Sequence, residues 1–117
     1  MTSQATVVLP EVLRSIAAST FTGSLQALGT PLANSARLAK FVNNTNQTVL
    51  VSWDGINDHD VLPSGSFALY DFTSNRGNPS PYLAAAQGTQ FYVSASAGTG
   101  TFYCVVFYGH TSPQGAL

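Results

Sequence analysis

Asp54, Asn57, Asp58, His59 and Asp60 form the densest run of oxygen and nitrogen ligands in the chain. A calcium loop would need oxygens at alternating positions, a glycine at its sharp turn and a distal glutamate. Here Ile56 stands where a ligand is expected, Gly55 comes too early and no glutamate follows. Asp54-Gly55 is instead good turn chemistry, with Asp58 and Asp60 free to meet solvent or cap backbone amides. His59, between two aspartates, could ligate a metal or sense pH, but a lone loop histidine needs neither role. No metal and no cofactor are expected.

Cys104 is the one thiol and could act as a nucleophile beside a histidine such as His110. It sits inside FYCVVFY, where a cysteine behaves as a small buried hydrophobe. A reactive thiolate needs an electropositive, partly open site, and no basic residue lies near it in sequence. There is no G-x-S-x-G, no phosphate-cradling glycine loop and no paired glutamate, since Glu11 is the only one. The expectation is a protein without catalytic residues. Trp53, Phe67, Tyr70, Phe72, Tyr82, Phe91 and Tyr92 could form a glycan-stacking platform, although strand aromatics more commonly fill cores and interfaces.

The elements that would position these residues follow from turn punctuation. The 117 residues suffice for one domain with a core of its own. Alternation over Ser19–Leu28 predicts a strand, ended by Gly29-Thr30-Pro31. Further strands are expected over Ala36–Asn43, 49–53, 67–72, Gln90–Ser96 and Thr101–Tyr108, with Asn43 to Asn46 as a turn cluster and Ser74–Pro81 as a loop. Pro10-Glu11 followed by Val12, Leu13 and Ile16 would also suit a short helix. The fold class is therefore all-β, an antiparallel β-sandwich or jelly roll: an N-terminal arm at 1–17, a sandwich at 18–110 and a C-terminal tail at 111–117.

Charged residues are 8% of the chain, against roughly 25% in an average soluble domain. Such a surface offers little repulsion to a neighbour. With Arg14, Arg37, Lys40 and Arg76 as the only basic residues and a net charge of -1, there is no footprint for nucleic acid or anionic lipid. A single cysteine excludes an intrachain disulfide. No signal peptide and no membrane span are read, so synthesis and assembly are expected in a cytoplasm. The last strand is apolar on both faces, with Phe102, Cys104, Val106 and Tyr108 on one and Tyr103, Val105 and Phe107 on the other. One face fills the core; the other needs a lid, either the N-terminal segment or a second chain.

The segments FTGSLQALGTPL, ARLAKFVNNTNQTVLVSWDGINDHDVLPSGSFALYDFTSN and GTQFYVSASAGTGTFYCVVFYG resemble a group of small virion structural proteins of tailed bacteriophages. The carrying features are Asn43-Asn44-Thr45, the S-W-D-G-x-N-D-H-D loop, L-P-S-G-S-F and L-Y-D-F-T-S-N, spanning roughly residues 18 to 109. The resemblance implies a non-enzymatic β-sandwich of the particle. A capsid cement or decoration protein is expected, bound to the major capsid protein or neighbouring virion subunits and forming a homo-oligomer there. The alternatives are a neck, collar or tail adaptor ring, and a glycan-binding module on the virion. Leu9, Val12, Leu13 and Ile16 are the expected arm contacts, and Tyr103, Val105 and Phe107 the expected interface face.

Overall fold

The computed structural model describes residues 4–72 and 84–113. Among the described residues, nine strands follow in chain order: β1 Gln4–Pro10, β2 Arg14–Ala17, β3 Gln26–Ala27, β4 Ala36–Thr45, β5 Val49–Ser52, β6 Asp60–Leu62, β7 Phe67–Asp71, β8 Tyr92–Ser94 and β9 Gly100–Pro113. They form two antiparallel sheets packed as a sandwich. Sheet A runs β1-β9-β4-β7 with β2 also on β9; sheet B runs β3-β8-β5-β6.

Alternation along β4 and β9 sorts the two faces. Ala39, Phe41, Phe102, Cys104 and Val106 face sheet B and are fully buried with Val49, Val51, Phe91 and Val93. The aromatic rings interlock edge to face: Phe41 and Phe91 have centroids 5.1 Å apart at 87°, and Trp53 and Phe91 5.0 Å apart at 82°. Such geometry sets the positive edge of one ring against the negative face of the next. Gly100 starts β9 at φ +94°, where a Cβ would stand 2.2 Å from the Asn44 carbonyl oxygen, so only glycine fits there.

Several local expectations are corrected. The helix considered from Pro10 is absent: residues 14–17 form β2, pairing Arg14 with Cys104 and Ile16 with Phe102. Its apolar residues follow β9's pleat, and tertiary pairing overrides a weak local preference. The strand expected over Ser19–Leu28 shrinks to Gln26–Ala27, preceded by a 3₁₀ turn at Ala18–Thr20. Gly23 and Gly29, both at positive φ, break the ladder on either side. Asn43 to Thr45 continue β4 instead of turning. Asp60–Leu62 is a strand that the acidic loop had concealed. The loop Ser74–Pro81 lies outside the described residues.

Candidate functional site

The acidic loop is tied to itself. Asp54 Oδ1 accepts the amides of Ile56 at 2.8 Å and Asn57 at 2.9 Å, and the Ser52 hydroxyl at 3.1 Å. Oδ2 accepts the Asn57 side-chain amide. The amides of Asn57 and Ile56 hold this carboxyl well below the ordinary aspartate value. His59 Nδ1 accepts the Trp53 amide at 3.0 Å, and its Nε2 lies 3.7 Å from Asp54 Oδ2. Asp60 leaves the loop altogether, because Tyr70 Oη donates to its carboxylate and bridges β7 to β6 across the sandwich. Burial and the Asp60 charge raise the Tyr70 phenol well above its ordinary value. Among the described residues, no three His, Cys, Asp or Glu side chains gather to hold a metal ion.

Cys104 is in the core, and burial pushes its thiol up to about 12. His110 lies six residues further along β9, about 20 Å away at the strand rise. That is beyond the reach of a Cys–His pair. The aromatics divide in two. Trp53, Tyr70, Phe72 and Phe91 pack on one another and on the core, which leaves them no common stacking surface. Phe67 lies outside that group and is 66% exposed. Tyr92 packs its ring over Gly55. Tyr82 is outside the described residues.

Two polar arrangements escape a sequence reading. Between β1 and β2, Glu11 and Arg14 form an ion pair at 2.8 Å with both side chains 5% exposed. Arg14 also donates to the carbonyls of Thr30 and Pro31, while Glu11 accepts the amides of Ala33 and Asn34 and the Asn34 side chain. Burial alone would raise the Glu11 carboxyl; Arg14, Asn34 and the backbone amides outweigh it and hold it below the ordinary value. Gly29 makes room, since a Cβ there would meet Arg14 Cγ at 2.7 Å. The pair floors a cleft of about 520 Å³ whose apolar rim includes Val12, Leu13 and Tyr108. Acid and base neutralise each other in this cleft, so it can seat an apolar side chain but offers no general acid or base. The available signal was a lone glutamate three residues before an arginine in a chain so poor in charge.

The second arrangement is Asn43. Its amide donates to the carbonyls of Gln47, Leu62 and Pro63, and its Oδ1 accepts the Thr45 amide and hydroxyl. The Asn43 carbonyl accepts the Gly65 amide, and Ser64 Oγ donates to Thr45 O. The N-N-T and L-P-S-G-S motifs are thus one interlocked sandwich end. No family model, characterised protein or solved structure matches the chain.

Sheet A also has an outer face, turned away from sheet B. Register sets Phe67, Val42 and Tyr103 in one row, Leu69, Lys40 and Val105 in the next, and Asp71, Leu38 and Phe107 in a third. Phe67 and Leu69 are largely exposed, while Tyr103, Val105 and Phe107 are half-buried by their neighbours in the sheet. Strands β1 and β2 do not lie over this face; they pair edge-on with β9. Of the expected arm contacts, Val12 is 87% exposed, Leu13 and Leu9 are also exposed, and Ile16 packs against the core.

Proposed function

We propose that the chain is a non-enzymatic structural subunit of a tailed-bacteriophage particle, acting as a capsid cement or decoration protein. The observation that carries this reading is the outer face of sheet A, a three-strand apolar surface holding one lysine and, at its margin, one aspartate. Apolar area of that kind on a folded domain is characteristic of docking surfaces. The low charge of the whole chain and its resemblance to small virion proteins support the same reading. Val12 and Leu13, projecting beside the Glu11–Arg14 cleft, add a second apolar contact.

In this role the sandwich lies against major capsid subunits or their neighbours. It stabilises the shell by removing apolar surface from water, at about 25 cal/mol per Å² buried. Quantitative mass spectrometry of purified particles tests the assignment. Copies in proportion to the major capsid protein are expected; a single ring's worth of copies would move the chain to the neck or tail, and absence from the particle would end the virion reading.

A further inference from the structure

We propose that two copies of this chain pair edge to edge through β1, in antiparallel register about a two-fold axis at Val7. The starting point is a ribbon with no third strand beside it among the described residues. β4 accompanies β9 only as far as Tyr108, whereas β1 follows β9 from Phe107 to Pro113. Among the described residues, Gly109–Pro113 and the facing residues of β1 therefore extend past β4 as two strands, in a molecule 57 Å long and only 26 × 22 Å across. A two-stranded ribbon is marginal in water; three or more strands are needed for a stable sheet. No described strand pairs with the outer edge of β1.

Apart from Pro10 at its end, that edge lacks the features that normally block association. Between Gln4 and Pro10 there is no charged residue, and the ladder to β9 runs without a register shift. No like charge meets another across the axis, since the nearest charged residue, Glu11, is already held by Arg14.

The existing hydrogen bonds determine the register. The Glu11 amide donates to the Val106 carbonyl, so by antiparallel alternation Leu9, Val7 and Ala5 direct their backbone groups at β9. Gln4, Thr6, Val8 and Pro10 direct theirs outward. Centring the two-fold on Val7 sets Thr6 opposite Val8 of the second copy and Gln4 opposite its Pro10, all outward-facing. This register pairs all seven residues. It also places Pro10, which has no N–H to give, at the last position, where only its carbonyl is used. About six backbone hydrogen bonds form, and two unsupported ribbons become one four-stranded sheet, β9-β1-β1-β9.

The pairing requires no particle, so it stands or falls separately from the virion reading. Sedimentation of the purified full chain should give twice the 12.3 kDa mass. Val7→Cys, under mild oxidation of the native protein, should trap a disulfide-linked dimer. Residues facing each other across the axis in a non-hydrogen-bonded pair have Cα atoms roughly 4.5 Å apart, within disulfide range. Val8→Cys, facing Thr6 of the second copy, should cross-link far less. A monomer at every concentration, or Val8→Cys trapping dimers as readily as Val7→Cys, would overturn the proposal.

Discussion

The side-chain amide of Asn43 donates to the carbonyl of Leu62 at 2.8 Å, fastening sheet A to the edge strand of sheet B through one buried residue. Every polar atom of that side chain is used. Asn43→Ala removes the side-chain partner of the buried Leu62 carbonyl and of the Thr45 amide, while the Pro63 carbonyl keeps Ser66, and should lower stability by about 2–3 kcal/mol. Urea denaturation measures it. A loss no larger than that of a surface substitution would show that the clamp is dispensable.

The Glu11–Arg14 pair makes stability depend on acid. A carboxyl held below its ordinary value of 4.5 in the folded chain contributes stability that is fully present above that pH. The contribution fades as pH falls through and below it. Thermal melts from pH 7 down to pH 3 should show this loss, with Asp54 adding to it in the same direction. Glu11→Gln should flatten the Glu11 part of the slope. It should also cost about 3 kcal/mol at pH 7 by leaving the buried guanidinium without its counter-charge.

Cys104 should be inert in the native state. With burial raising its thiol to about 12, a thiol reagent at pH 8 should modify it only as fast as the chain opens, and immediately in denaturant. The raised value also means that stability holds below the ordinary thiol value of 9.0 and declines as pH climbs from there towards 12. Rapid native labelling would contradict the core placement.

Val105 separates folding from association. It sits on the outer face with Lys40 as its cross-strand partner on β4. Val105→Asp therefore places a carboxylate beside an ammonium on a half-exposed face, a pairing that the sheet should tolerate. The variant should melt within about 1 kcal/mol of the parent yet fail to join particles. Unfolding would mean that this face is buried within the chain itself.

The fold class was legible because turn punctuation and period-two alternation are local signals. The strands β4, β5, β7 and β9 emerge where Gly, Pro and Asn clusters bound apolar runs. What failed was long-range. Ser19–Leu28 alternates correctly, but Gly23 and Gly29 at positive φ leave only Gln26 and Ala27 in the ladder to β8. Asn43 looked like turn chemistry, since Asn favours turns; its partners Leu62 and Pro63 lie some twenty positions away and no local pattern announces them. The Glu11–Arg14 site has the same character, with Thr30, Pro31 and Asn34 brought in by tertiary packing. The doubly apolar β9 was readable, and its inner face fills the core. Its outer face, Tyr103, Val105 and Phe107, stays half-buried.

Electron cryomicroscopy of the particle, with this chain located in the map, tests the central claim most directly. The account expects the sandwich on the capsid surface, with the Phe67, Leu69 and Val105 face seated against a neighbouring subunit. A position on the portal axis, or that face turned to open solvent in every copy, would contradict it.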